Sequence, residues 1–452
     1  MWRESHHHRA DRLRGLLHGA RRRRNRGCRR RRLSAETSRA PTYDLAAMSA
    51  IEIVDLAPSD FEHFVLTAHG FWGEAPEIGM EQVHHALRRA MLARLDGEDI
   101  GAAAVIDFPL TLPGGSRVAM DGVTWVGVAA TARRRGALRA MMDRCLRSAR
   151  DRDIPVLGLG ASESSIYRRF GYGVASHIGS AAIDTAHAAL RISFHDPGRL
   201  RFVPLHDAVP LWRDIESRQV DRTGGILRSA DHWRVGIARN ETPDGKIAPM
   251  TVVAHEDAAG VLDGFANYRV ELRWADGLSD GIVHLTELTA LNLDAHLALW
   301  QHVLEMDLIE HVEMWRFWLD DPLQQLVADP RRLRVSTRDD LHLRVVDVVA
   351  LLSARRYSRE DSLVIEVRDD ACADVAGRYR VEGGLDGAIA ARTNATADVV
   401  LDAAALGSML LGDVSAAALQ RADIVQEERE GAVRRASAMF SWSPRPWLNH
   451  MF

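Results

Sequence analysis

Three consecutive arginines and a glycine, Arg133 to Gly136, stand between two patterned segments of this 452-residue chain. Before them, Val123 to Val128 are rich in β-branched and aromatic residues, which predicts a strand. After them, apolar residues recur at helical spacing, namely Leu138, Met141, Met142, Cys145, Leu146 and Ala149. The start of a helix offers free N–H groups and a positive dipole end, so the expected ligand is a phosphate or pyrophosphate.

The elements that must position this turn form a βαβ unit. A short apolar run from Ile154 to Leu159 has the length of a buried strand. A helix that crosses over between two such strands joins them in parallel. Gly136 lets the backbone approach a ligand closely. Runs of arginine are more common on solvated faces, but the order strand, glycine, helix favours the phosphate site.

Two motifs resemble a known family. R-R-R-G-A-L resembles the acyl-CoA pyrophosphate loop [QR]-x-x-G-x-[GA] of the GNAT N-acetyltransferases, with Leu138 where Gly or Ala is usual. A second motif resembles the Eis family of bacterial GNAT acetyltransferases. It is the continuation A-S-E-S-S-I-Y-R-R-F-G-Y-G, taken together with the aromatic last residue Phe452. This resemblance extends from about residue 49 to the end.

The resemblance implies a reaction and its residues. Acetyl-CoA would be the cosubstrate, without a metal, and the acceptor would be a primary amine of an aminoglycoside-like or polyamine molecule, or of lysine. Tyr167 would be the general acid and the α-carboxylate of Phe452 the base, although most tyrosines are simply core residues. The expected cofactor-binding residues are Val126, Gly127, Val128, Arg133, Arg134, Arg135, Gly136, Ala137, Leu138, Arg139, Ser162 and Glu163.

The residue before Phe452 departs from the best-known member of the family, which has an acid there. This chain has Met451, so binding of a polycationic aminoglycoside is less expected than acetyl transfer itself.

The predicted fold class is α/β (α+β), with tandem GNAT-like mixed sheets, flanking helices and a small C-terminal domain. We expect a GNAT domain at 48–185, a degenerate GNAT-like domain at 186–337 and a sterol-carrier-protein-like domain at 338–452. In the second domain the turn N-L-D-A-H has neither arginine nor glycine and should not bind a pyrophosphate. The resemblance also implies a homohexamer.

The sequence also predicts the structure of three further segments. A helix is predicted from Glu81 to Leu95. The Gly-punctuated stretch H-G-F-W-G-E-A-P, with Phe71, Trp72 and Glu74, predicts either the wall of an amine pocket or a surface loop. The terminal S-W-S-P-R-P-W-L-N-H-M-F is rich in proline and tryptophan, which predicts an extended and buried tail.

Residues 1–47 differ from the rest, with 14 arginines against four acids, which predicts disorder. They could be a nucleic-acid-binding arm, a targeting segment or translated upstream sequence with the true start at Met48. We favour the last, and therefore expect no nucleic-acid partner. No apolar run approaches the roughly 18 residues of a membrane span, and Cys28, Cys145 and Cys372 have no metal-ligand spacing, so we expect a cytoplasmic protein.

Two other functions compete with acetyl transfer. A non-enzymatic lipid or sterol carrier would need a large apolar cavity near residues 340–420. A nucleic-acid-associated protein would need its N-terminal arginines to be translated.

Overall fold

The computed structural model describes residues 51–72, 87, 89–219, 221–240 and 243–452. Its first segment, up to residue 184, contains seven described strands and two described α-helices. The strands are β1 (Glu52–Leu56), β2 (Arg89–Leu95), β3 (Glu98–Thr111), β4 (Arg117–Val128), β5 (Val156–Gly160), β6 (Gly173–Val174) and β7 (His177–Asp184). The helices are α1 (Phe61–Trp72) and α2 (Ala137–Asp151). The predicted βαβ unit is therefore confirmed as β4, α2 and β5.

The second segment repeats this pattern. Its strands are β8 (Arg199–Val203), β9 (Thr251–Glu256), β10 (Leu262–Glu271), β11 (Trp274–Ala275), β12 (Leu278–Ser279), β13 (Gly281–Ala290), β14 (Ile309–Phe317) and β15 (Arg334–Asp339). Its helices are α3 (Ala208–Arg218), α4 (Ala230–Asn240), α5 (Leu293–Leu304) and α6 (Leu323–Leu326). The helix α5 crosses between the parallel strands β13 and β14, as α2 does between β4 and β5.

The third segment is a smaller α+β arrangement. Its strands are β16 (Leu341–Val345), β17 (Asp361–Arg368), β18 (Gly377–Gly384), β19 (Gly387–Arg392), β20 (Val399–Asp402) and β21 (Gln426–Glu427). Its helices are α7 (Val348–Ala354), α8 (Ala403–Met409), α9 (Ala416–Arg421) and α10 (Ala432–Phe440). The guanidinium of Arg355 is buried here and donates to the carbonyls of Met409, Leu410 and Phe440 at two helix ends.

Within the described residues, the strands form two seven-stranded mixed sheets, one mixed sheet of five strands and the two-stranded pair β11–β12. The first sheet has the order β1-β2-β3-β4-β5-β16-β6, and the second β15-β7-β14-β13-β10-β9-β8. The third has the order β19-β18-β17-β20-β21. Mixed sheets with helices against them confirm the predicted fold class.

A continuous antiparallel ribbon joins the first two sheets. One side consists of β6 and β7, and the other of β15 and β16, so β7 belongs to the second sheet and β16 to the first. At the crossing, the Ser176 hydroxyl accepts a hydrogen bond from the Leu341 N–H at 3.2 Å. The two sheets thus exchange strands between segments that are distant in sequence.

The helix predicted from Glu81 to Leu95 is wrong where the structure describes it. Residues 89–95 form β2, which pairs with β1 on one side and β3 on the other. The sequence R-A-M-L-A-R-L consists of good helix formers, but pairing on both sides and burial of its centre override that propensity. Residues 81–86 and 88 lie outside the described part.

His69 to Trp72 also differ from expectation, because they belong to the last turn of α1 rather than to a loop. The remainder of that loop, with Glu74, lies outside the described residues, as do residues 1–47. Among the described residues, no helix is both long and apolar enough to cross a lipid bilayer.

Candidate active site

The strands β4 and β5 run side by side and then separate. Three pairs join them in parallel, Met120 with Val156, Asp121 with Leu157 and Gly122 with Gly158. Beyond Gly122, β4 continues to Val128 without a further ladder pair to β5 in the described residues. The predicted residues Val126, Gly127 and Val128 lie on this length of β4, which has β3 on one side and no pairing with β5 on the other. Backbone groups on the side of β5 can therefore pair with an extended ligand.

A β-bulge redirects β4 at the point of separation. Trp125 and Val126 together lie opposite Ala103 of β3, and Trp125 has a φ of 54°, in the left-handed region. Its ring lies 6.0 Å from the ring of Phe64 and 5.2 Å from that of His69, both on α1. A bulge bends and twists its strand, so it turns the end of β4 away from β5. The run of strand-forming residues at 123–128 gives no signal of this bulge.

The arginine and glycine turn leads directly into α2. Arg134 has a φ of 65° and Gly136, the residue before the helix, a φ of 100°. The side chains of Arg133, Arg134, Arg135 and Arg139 are exposed, and within the described part of the chain none of the first three is in an ion pair. Ala137 is buried and Leu138 half-buried, so the turn is anchored from behind while its N–H groups remain at the surface.

The second βαβ unit offers a contrast at the equivalent helix start. The side chain of Asn292 accepts a hydrogen bond from the Ala295 N–H at 2.8 Å and so caps α5 itself. Asp294 adds an acid to the first turn. A self-capped and acidic helix start disfavours an anionic ligand, which supports the expectation for the N-L-D-A-H turn.

The turn after β5 presents Tyr167. This tyrosine is 9% exposed, and burial, followed by the nearby carboxylate of Glu163, raises its pKa to about 12. Its ring meets that of Tyr172 edge to face at 6.0 Å. Ser162 and Glu163 are exposed at the beginning of the same turn, between β5 and Tyr167.

Neighbouring segments fix this turn from two sides. Arg168 forms an ion pair with Asp402 at 2.7 Å, at the start of α8. The guanidinium of Arg139 lies 5.9 Å from the ring centre of Phe170, which brings α2 to the turn.

The C-terminal tail returns to the first sheet, and its predicted burial is confirmed for residues 446–449, whereas Met451 and residues 441, 443 and 445 are exposed. Trp447 and Leu448 are buried, and the ring of Phe452 lies 4.8 Å from that of Phe108 on β3. A Cβ on Gly122 would lie 2.7 Å from Phe452 Cε2, so the ring covers the last β4–β5 pair. Met451 packs beside Gly160 at the end of β5, where a Cβ would lie 3.5 Å from Met451 Cγ.

The structure therefore brings most of the predicted residues to one place. The last ring of the tail lies on β4 at its separation from β5. The first turn of α2 contacts the Tyr167 turn through Arg139 and Phe170. Phe108, Gly122 and Trp125 also lie there and were missed, and nothing local in the sequence identifies Phe108 or Trp125. The glycines Gly122 and Gly158, opposite each other on paired strands, were the available signal of a close approach.

Three family descriptions match the chain. An acetyltransferase (GNAT) domain matches residues 55–175, and a second acetyltransferase (GNAT) domain matches residues 224–345. A sterol carrier protein domain matches residues 348–449.

Several relatives match most of the chain. An uncharacterized N-acetyltransferase of Streptomyces avermitilis is 38% identical, over 78% of this chain and 87% of its own. The N-acetyltransferase Eis of Mycobacterium tuberculosis is 32% identical, over 76% of this chain and 83% of its own. The crystal structure of Eis1 from Mycobacterium abscessus has a TM-score of 0.78 and 32% identity, and the match covers 89% of this chain and 100% of Eis1.

Proposed function

Because this chain belongs to the Eis family of GNAT N-acetyltransferases, we propose that it transfers the acetyl group of acetyl-CoA directly to a primary amine. The acceptor is a small molecule, aminoglycoside-like or a polyamine, or a lysine side chain. That the chain is an N-acetyltransferase follows from its family, whereas the cosubstrate and the acceptor are part of the proposal.

The observation that carries the proposal is the start of α2. Gly136 has a left-handed backbone, and open space surrounds the position of its missing side chain, where the nearest atom to a Cβ would be Ile51 Cδ1 at 3.8 Å. Free helical N–H groups and the exposed arginines of the turn surround this space. These features fit a pyrophosphate, which would be held by the N–H groups of residues 136–139 and by Arg133, Arg134 and Arg135.

The pantetheine and thioester fit the unpaired edge of β4. Val126, Gly127 and Val128 would donate and accept main-chain hydrogen bonds there, as an added strand does. Ser162 and Glu163 would line the opposite side. The thioester carbonyl then lies near donors that can stabilise the developing oxyanion.

Two groups would move protons in the reaction. Tyr167 is protonated at neutral pH and would give its proton to the departing thiolate sulfur. The α-carboxylate of Phe452 would accept the proton of the attacking amine, directly or through a water molecule. This assignment requires Phe452 to be the last residue, which an intact-mass measurement of the natively expressed protein establishes.

We propose the division of labour expected from the sequence. The GNAT domain at 48–185 carries the cosubstrate, the domain at 186–337 lacks a cofactor loop, and the domain at 338–452 supplies the tail. Met451 in place of an acid favours acceptors of lower positive charge than a polycationic aminoglycoside.

The proposal is tested by comparing the natural chain with the Gly136→Val variant. We expect acetyl-CoA to raise the melting temperature of the natural chain by mass action and to release free thiol when primary amines are added. Gly136→Val should abolish both effects, because a β-branched side chain disfavours the left-handed backbone and fills the space of the pyrophosphate. Differential scanning fluorimetry and a thiol-reactive dye provide the two measurements.

Gly260→Val is the matched control, since Gly260 also has a left-handed φ, of 80°, and no atom of the described residues lies within 4 Å of the place that a Cβ would take. It lies in the turn between β9 and β10, so it should lose stability without losing the acetyl-CoA effect. Unchanged acetyl-CoA stabilisation in Gly136→Val would place the cosubstrate elsewhere.

We also propose that the enzyme is a homohexamer. Several large apolar side chains of the second segment are exposed, including Trp274, Leu278 and Phe202, and subunit interfaces bury such groups. Multi-angle light scattering should give the mass of six chains. A monomer at micromolar concentration would contradict this proposal.

A cytoplasmic location is proposed as well. Cys145 and Cys372 are free thiols and both are buried, which agrees with a reducing compartment.

A further inference from the structure

A buried ionic cluster lies against the second sheet, with Glu287 on β13, Glu216 on α3 and Arg228 in the loop between α3 and α4. Arg228 is the central cation, and its side chain is 2% exposed. It donates to Glu216 Oε1 from Nε at 2.6 Å and to Glu287 Oε1 from Nη2 at 2.7 Å. The guanidinium also lies 3.4 Å from the centre of the Trp233 ring. Such a desolvated cluster is costly to assemble and has a defined geometry once formed.

The cluster occupies the place that is open in the first sheet. The strands β13 and β14 pair in parallel as far as Leu285 and Met314, and Glu287 follows two residues beyond the last pair. In the first sheet, the equivalent length of β4 is not paired with β5 and is proposed to bind acetyl-CoA. In the second sheet, the ion pair between Arg228 and Glu287 lies at this position instead.

Asn449 of the tail binds directly to this cluster. Its Nδ2 donates to Glu216 Oε1 at 2.7 Å and to the Ile226 carbonyl at 3.1 Å, while its Oδ1 accepts from the Ile226 N–H at 3.0 Å. Asn449 is 8% exposed, so water competes little for these hydrogen bonds. The side chain thus satisfies both main-chain groups of Ile226.

Ile226 in turn is fixed to the first sheet. It forms an isolated bridge with Leu110 at the end of β3, and the neighbouring Gly225 carbonyl accepts from the Thr111 N–H at 2.9 Å. On the same strand, Phe108 contacts the Phe452 ring. The tail and the strand that meets its last ring are therefore held by one short loop.

The second sheet holds the residues before Asn449 too. Arg316 donates to the Leu448 carbonyl at 2.6 Å, and Trp447 N–H donates to the Thr223 carbonyl at 2.8 Å. Past Asn449, Met451 and Phe452 lie against Gly160 and Gly122 of the first sheet. Asn449 is thus a strongly anchored residue only three positions before the terminal carboxylate.

We propose that Asn449, bound to the Glu216–Arg228–Glu287 cluster, is the positioning residue that fixes the C-terminal carboxylate at the active site. The second GNAT-like domain, which lacks a cofactor loop, then positions the catalytic base of the first domain. The kinetic part of this inference rests on the proposed function, whereas the anchoring part does not.

The first test is Asn449→Ala, with two independent measurements. Carboxypeptidase under native conditions should release Phe452 faster than from the natural chain, as followed by mass spectrometry. The kcat for amine acetylation should fall roughly 10- to 100-fold, because a shift of about 1 Å has this order of effect. The affinity for acetyl-CoA, measured by thermal shift, should be unchanged.

A near-isosteric variant distinguishes positioning from general damage. Asn449→Asp keeps the size of the side chain and the oxygen that accepts from the Ile226 N–H, but it has no N–H to donate to Glu216 or to the Ile226 carbonyl. It should therefore lower kcat and speed the release of Phe452 as much as Asn449→Ala does, and it decides the question if Asn449→Ala does not fold. Natural rates of turnover and of tail release in Asn449→Asp would overturn the proposal.

Asn394→Ala removes an exposed amide of the third domain and is the matched control. Unchanged release of Phe452 in Asn449→Ala would overturn the proposal that Asn449 anchors the tail. Faster release with unchanged kcat would instead contradict the terminal carboxylate as the base. If the terminal carboxylate is not the base, the carboxypeptidase measurement still reports whether Asn449 anchors the tail, so the two failures can be told apart.

Discussion

Replacement of Tyr167 by phenylalanine is expected to lower kcat by roughly 10² to 10⁴ while acetyl-CoA affinity stays the same. The phenol is buried, and its pKa of about 12 lies above the ordinary value. Because a raised pKa favours the protonated form, the hydroxyl remains an acid throughout the neutral and mildly alkaline range. Any loss of wild-type activity in that range must then come from another group. Steady-state kinetics and thermal shift with acetyl-CoA measure both quantities.

Tyr172→Phe is a closely matched control. Its ring packs edge to face against Tyr167, and its buried hydroxyl has no hydrogen-bond partner among the described residues. Removal of that hydroxyl should be neutral or slightly stabilising, because an unsatisfied buried polar group is lost. If Tyr167→Phe and Tyr172→Phe reduced kcat equally, or if Tyr167→Phe abolished cofactor binding, Tyr167 would be a structural residue.

Extension of the chain by a few residues after Phe452 should lower kcat/KM by a similar factor, roughly 10² to 10⁴. The extension removes the negative charge from the active site but leaves the phenylalanine ring in the sequence. A free α-carboxylate has a reference pKa of about 3.5, so burial must raise it or a water must relay the proton. Deletion of Phe452 moves the carboxylate by up to about 3.6 Å and should be nearly as harmful.

Phe452→Leu separates the ring from the charge. It retains the carboxylate and loses part of the packing on Phe108 and Gly122, so we expect a smaller loss than on extension. A C-terminal tag that leaves kcat/KM intact would refute the carboxylate as base. Glu163, exposed beside the Tyr167 turn, would then be the next candidate, followed by Glu74.

Local patterns predicted the elements that carry the chemistry. The apolar spacing after Gly136 predicted α2, and the runs on either side predicted β4 and β5. The same reasoning failed for β2, because its residues favour a helix in isolation and only the flanking strands make it a strand. Sequence order could not reveal that β7 lies in the second sheet and β16 in the first, because their partners are more than 120 positions away along the chain.

The residues of the candidate site also differ in whether the sequence could predict them. The turn at Arg133 to Gly136 and the Tyr167 motif are contiguous, so they could be recognised from the sequence. The bulge at Trp125 depends on the register between β4 and β3, and Asn449 depends on a partner 233 positions away. Asn449 looks like an ordinary polar residue near a terminus, and only its contacts with Glu216 and Ile226 support the anchoring role that we propose.

The ribbon that joins the first two sheets limits how this protein can be divided. A fragment ending near residue 185 would lack β16, which pairs with β5 along Leu341–Val345, and would carry β7 without its partners. Bare strand edges promote aggregation, so we expect the first GNAT domain to be insoluble when it is expressed alone. Exchange or deletion of either GNAT domain would leave strand edges of the other unpaired.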